Sequence, residues 1–123
     1  MEIREIAGQR CLVAPQPARP LADAIQVLRL FGDAIGEDAS TIVVEASALS
    51  RGFFDLRTGF AGEVLQKAAN YRIRFAVVGD ITSYVETSNA FHDLVVESER
   101  ATGCCFVPDL EALERWLAPF AGR

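Results

Sequence analysis

Apolar residues fall along this chain in two rhythms, short near-continuous runs and stripes at three- and four-residue steps. Two short runs, Glu2 to Ala7 and Arg10 to Ala14, are separated by Gly8-Gln9, a spacing that predicts an opening β-hairpin. From Leu21 to Gly36 the large apolar residues Leu21, Ile25, Leu28, Phe31 and Ile35 mark the core-facing stripe of a helix. Pro20 suits its first turn and Gly36 its end. Thr41 to Ala46, TIVVEA, is β-branched and almost wholly apolar, which predicts a central strand covered on both faces. After a loop from Ser47 to Phe54, the positions Phe60, Val64, Leu65 and Ala68 mark a second helix. IRFAVVG, residues 73–79, is another buried strand, followed by a turn from Asp80 to Ser83. A third helix is predicted over Thr87 to Ala101 with Phe91, Leu94 and Val95 inward, then a short strand, CCFV. Pro108 to Ala118 closes the pattern as a helix with Leu110, Leu113 and Leu117 on one face and Trp116 and Phe120 along its border.

Strand, strand, helix and then strand-helix three times over is the order of an α/β fold. Short connections between alternating elements predict a mixed, largely parallel sheet of about five strands with about four helices. Right-handed crossovers constrain where those helices lie. Residues 1–123 contain no linker, repeat or low-complexity tract, so a single domain with one sizeable core is expected.

Composition changes the picture mainly by exclusion. Half the residues are hydrophobic and 24% are charged, the balance of a soluble globule. A net charge of −5 and a pI near 4.8 leave no broad basic surface for a nucleic-acid backbone. No apolar run has the length of a membrane span and MEIREIAGQR has no signal-peptide core, so a cytoplasmic location without membrane contact is expected. Cys11, Cys104 and Cys105 lie in apolar strand runs with no CxxC, and the sole histidine, His92, is distant from them in sequence. Small reduced core residues are the expectation, with no metal and no cofactor.

The polar residues with chemical potential gather in two loops. In Asp55-Leu56-Arg57-Thr58-Gly59 either Asp55 or Thr58 can cap the following helix, because a side-chain oxygen accepts a free backbone N–H there. The same position suits a phospho-acceptor beside a helix N-terminus, with Arg51 and Arg57 as countercharge. Gly59 and Gly62, one turn apart, suit close packing of that helix on a strand. Gly79-Asp80 ends a strand, where Asp80 can contact a ligand or cap a turn. His92, beside inward-facing Phe91, has no nucleophile or orienting partner in the pattern, so a catalytic constellation is not expected. Two consecutive phenylalanines in a loop are hard to bury together. Phe53, Phe54 or Trp116 is therefore a candidate contact with a second copy of the chain, against the alternative that the pair folds back over the following helix.

The string FFDLRTGFAGEVLQKAANYRIRFAVVGD, with the CCFVPDLEALERWL tail, resembles a bacterial family described only as a domain of unknown function (domain of unknown function 4180). That resemblance spans the whole chain and implies no activity. More distantly, STIVVEASALSRGFFDLRTG resembles the strand and phosphorylation loop of STAS domains, the sulphate-transporter and anti-sigma-factor-antagonist family. There a buried strand leads through an Asp to a Ser or Thr before Gly at a helix start, and phosphorylation of that hydroxyl switches binding of a partner kinase. The resemblance implies Thr58 as acceptor and Asp55 as the acidic residue. It departs from the family pattern in that both Leu56 and Arg57 intervene.

Together these readings give a non-enzymatic, STAS-like regulatory or binding module. Its expected partner is a protein, of kinase type under the resemblance. The alternative is a small-molecule or anion-binding protein using the same loop, through Arg51, Asp55, Arg57 and Asp80.

Overall fold

In the computed structural model, residues 2–98 and 103–121 are described, and they form an α/β fold around a five-stranded sheet. Strand β1 (Glu2–Ile6) pairs antiparallel with β2 (Gln9–Val13). Then β2, β3 (Thr41–Glu45), β4 (Arg74–Val78) and β5 (Cys104–Val107) run parallel, so the spatial order is β1-β2-β3-β4-β5. The mixed, largely parallel sheet is the one the pattern predicts. The hairpin turns one residue earlier than its spacing suggests, at Ala7 and Gly8, both at positive φ (50° and 82°), and Gln9 belongs to β2.

A sheet whose parallel strands follow one another in space is wound in one direction. Right-handed crossovers then place every connecting helix on the same face. That face carries Leu12, Ile42, Val44, Phe75 and Val77, packed against α1 (Ala24–Gly36), α3 (Phe60–Tyr71) and α5 (Asn89–Ser98). The other face, with Cys11, Val43, Ala76, Val78 and Cys105, is covered by α6 (Leu110–Leu117) through Leu113 and Leu117. Trp116 and Phe120 border this second core, their rings 5.6 Å apart, as the pattern predicts.

Six α-helices are present among the described residues rather than about four. The additional two, α2 (Arg51–Phe54) and α4 (Thr82–Thr87), are four and six residues long, too short to show a 3.6-residue period. Helix α1 begins later than Leu21. Asp23 caps it by accepting the Gln26 N–H at 3.1 Å, while Leu21 bridges to Leu49 like a strand residue. Its stripe is also displaced: Ala24, Val27, Phe31 and Ala34 are buried, whereas Ile25 is 69% and Ile35 55% exposed. The periodicity of the large side chains misleads because small alanines let the helix sit close to the sheet. Leu110, expected inward on α6, is likewise exposed. Helix α5 starts at Asn89 rather than Thr87, and its expected end at Ala101 lies outside the described residues.

Aromatic rings tie the helical face together. Phe31 stacks on Phe75 at 6.1 Å, Phe53 meets Phe75 at 6.3 Å, and Phe54 meets Phe91 at 5.5 Å, which reaches Phe106 at 5.4 Å. Both Phe53 and Phe54 are buried, so the pair folds back into its own core, the second of the two readings the sequence left open. They fit because α2 is a single turn that presents adjacent rings to different parts of the core.

Phe53→Ala should cost about 3–5 kcal/mol of stability, the range for emptying a buried aromatic site. Ile25→Ala should change it by no more than about 0.5 kcal/mol. Urea denaturation of the two variants checks the displaced stripe; equal losses would contradict the burial described.

Candidate functional site

The carboxyl ends of the parallel strands form a rim, and two chain reversals shape it. Strands β3 and β4 finish side by side, Glu45 opposite Val78. Gly79 follows at φ 141°, and a Cβ there would stand 3.0 Å from the Ala46 Cβ, so only glycine allows the two strand exits to lie this close. The Leu21 N–H donates to the Ala48 carbonyl at 2.7 Å and the Ser50 N–H to the Leu21 carbonyl at 2.9 Å. These bonds pin the segment that enters α2. With Phe53 and Phe54 buried beneath it, α2 leaves Arg51 exposed on the rim.

Asp55 to Gly59 forms a 3-10 turn leading into α3. Asp55 caps that turn by accepting the Arg57 N–H at 3.1 Å. It also receives the Arg57 guanidinium at 3.0 Å through Nε and 2.8 Å through Nη2, a two-pronged ion pair on the surface. The Thr58 hydroxyl lies 2.6 Å from the Gly52 carbonyl and 2.9 Å from that of Asp55, positioned to donate, and it accepts the Phe60 N–H at 3.2 Å. Thr58 thus supplies an acceptor at the start of α3, as the sequence allows, whereas Asp55 caps the preceding 3-10 turn and not the helix. Gly59 holds φ 77°, the left-handed conformation in which the chain swings into α3. Neither Gly59 nor Gly62 packs on a strand: both are exposed and nothing lies within 4 Å of a Cβ built on either. The apparent packing pair is instead one hinge residue and one solvent-facing residue.

Asp80 accepts the Thr82 N–H at 2.9 Å and so shapes the turn into α4. Arg57, through its side chain first and its backbone second, holds the Asp55 carboxyl below the usual carboxylate range; the Thr82 side chain and then its backbone do the same for Asp80. Both stay ionised at neutral pH.

Two open grooves of about 640 and 620 Å³ adjoin on this rim. Arg51, Ser83 and Tyr84 line both. Asp55, Arg57 and Thr87 extend the first, Glu45 and Asp80 the second. The Tyr84 ring stacks on Phe54 at 4.0 Å and 8° between planes, which joins the grooves to the aromatic core. The structure therefore brings Arg51, Asp55, Arg57 and Asp80 to one surface, with Thr58 and Gly59 at the adjoining turn. Sequence reasoning missed Tyr84 and Glu45. An aromatic residue between Thr82-Ser83 and Glu86-Thr87 was the available signal for the first; Glu45 inside an apolar strand run was hidden because its exposure depends on the strand ending there.

Chemically the rim offers charge, hydroxyls and one stacked ring. His92 lies on α5, exposed, with the Asp93 carboxylate at 3.4 Å, and is not among the lining residues of either groove. Among the described residues no three His, Cys, Asp or Glu side chains gather in a metal-binding group. Cys11 and Cys105 are buried, and burial chiefly, with neighbouring Cys104 second, pushes the Cys105 thiol up to about 12, which leaves it a poor nucleophile.

Because the Asp55 carboxyl titrates below its ordinary value near 3.8, its contribution to stability is complete above that value and is lost as the pH falls through the depressed native one. The stability difference between wild type and Asp55→Asn should therefore shrink as the pH drops below about 4. Urea midpoints at pH 7 and pH 3 check this; an unchanged difference would deny the ion pair a role.

No helix among the described residues is long and apolar enough to cross a membrane. No curated protein and no solved structure gives a significant match to the chain. A family model described as Domain of unknown function (DUF4180) matches residues 6–117, nearly the full length. The α/β chain with its capped Asp55–Gly59 turn thus belongs to the family Domain of unknown function (DUF4180).

Proposed function

We propose that this protein is a non-enzymatic cytoplasmic regulatory module that binds a protein partner on its carboxyl rim, with Thr58 as a phosphorylation switch. The observation that carries the reading is the Thr58 hydroxyl, exposed yet directed at the Gly52 carbonyl at 2.6 Å. A phosphorylated oxygen has no proton to donate. Its charge would be repelled by the Gly52 and Asp55 carbonyl oxygens and drawn to the free N–H groups at the start of α3. Arg57, with 90% of its side chain exposed, is close enough in sequence to exchange Asp55 for the new phosphate. Phosphorylation would then break the tie between α2 and the turn while strengthening the existing one from Thr58 to the start of α3, and the rim would change shape. The likeness of the Asp55-to-Gly59 loop to STAS phosphorylation loops supports the same reading.

The alternative, a small molecule or anion held by the same loop, draws on the grooves. Binding pockets for small ligands usually enclose most of the ligand. These grooves are open, which weighs toward a partner surface.

Capture from the native host with wild-type, Thr58→Ala, Thr58→Ser and Thr58→Glu baits tests the switch. A partner held by wild type and Thr58→Ser and lost at least tenfold with Thr58→Glu is expected. Thr58→Ala should lose about 1 kcal/mol of stability with its hydrogen bond. If all four baits retain the same proteins equally, Thr58 is only a cap.

A further inference from the structure

The charges on the rim are segregated. In one groove stand two carboxylates, Glu45 and Asp80. Glu45 makes no side-chain hydrogen bond or ion pair with the described residues, and Asp80 is held ionised by Thr82. At the junction with the second groove stands Arg51, exposed and likewise without a side-chain partner among the described residues. Beyond it Asp55 and Arg57 satisfy each other and add no net charge. At the same junction as Arg51 lies the Tyr84 ring, which also lines both grooves and is backed by Phe54.

An unpaired guanidinium and an unpaired carboxylate on one surface leave recognition capacity unused. Each groove alone has the volume of a small-ligand site, and end to end they suit something longer. Resting on the partner-binding reading above, we propose that the two grooves seat an extended peptide segment of the partner with segregated charge. Its basic side chain meets Glu45 and Asp80, an apolar residue lies on Tyr84, and its acidic side chain meets Arg51. Complementarity of this kind fixes the register and direction of a peptide more than it adds raw affinity. A paired Arg57 cannot substitute for Arg51 without breaking its bond to Asp55.

The test uses fluorescently labelled peptides and anisotropy with the full chain. The probes are Lys-Lys-Leu-Val-Glu-Glu, its reverse Glu-Glu-Val-Leu-Lys-Lys, and the alternating isomer Lys-Glu-Leu-Val-Lys-Glu. One of the two segregated peptides is expected to bind at least tenfold more tightly than the alternating isomer. Arg51→Glu should abolish that preference, and so, independently, should Glu45→Lys. Both positions are exposed, so folding, checked by circular dichroism, should persist. Equal binding of all three peptides, or none at millimolar concentration, overturns the assignment. Competition by free lysine or glutamate as effective as the peptide also overturns it, in favour of a small zwitterion. If the host partner is retained equally by wild type and Arg51→Glu, the groove assignment fails while the partner-binding reading stands. If the peptides behave as expected but Thr58→Glu changes nothing, the switch fails and the groove stands.

Discussion

Burial of Phe53 and Phe54 by a single turn of helix is the interaction on which the rim depends. Each ring removed from water is worth about 1.5–3 kcal/mol, with up to about 1.5 kcal/mol more from each ring pair. Phe53 has edge contacts with Phe54 and Phe60, both at 5.2 Å, and Phe54 adds the stack on Tyr84. The exposed Asp55–Arg57 pair, by contrast, is screened by solvent and contributes little. The aromatic anchors therefore hold the loop in place, and the polar contacts decide its detailed shape. That division lets charges on the rim change without unfolding what lies beneath.

The one-directional winding of the sheet explains why the two faces differ. Three long helices over one face leave a deep core that takes most of the phenylalanines. Among the described residues the opposite face has α6 and the turn after it at Phe120, and its sheet residues are smaller, Cys11, Val43, Ala76 and Cys105. Arg74 closes that side by standing 3.8 Å over the Phe120 ring while its guanidinium donates to Gln9 at 3.1 Å. Because the four parallel strands exit toward the same end, β3 and β4 deliver Glu45 and Gly79 next to each other, and the rim forms from residues far apart in sequence.

The sheet was legible because buried parallel strands announce themselves as unbroken β-branched runs, as in TIVVEA. Helix positions were legible, but their faces less so. On α1 the eye follows Ile25 and Ile35, whereas closeness to the sheet selects Ala24 and Ala34. Phe53 and Phe54 were left undecided for the same kind of reason: a loop reading supplies no direction for adjacent rings, and a one-turn helix does. At the site, Asp55, Thr58 and Asp80 were visible as turn chemistry. The Tyr84–Phe54 stack was not, since it joins two short helices, α2 and α4, that no periodicity relates.

Native-state hydrogen exchange of the amides from Phe53 to Glu63 tests the central claim most directly. The anchored loop described here has the Phe53 N–H on the Ser50 carbonyl, Thr58 on Asp55 and Glu63 on Gly59. These amides should exchange through openings nearly as rare as those of β3 and β4. Exchange at the rate of an unstructured loop, with the sheet still protected, would show that the phenylalanines do not hold the rim and would contradict the account.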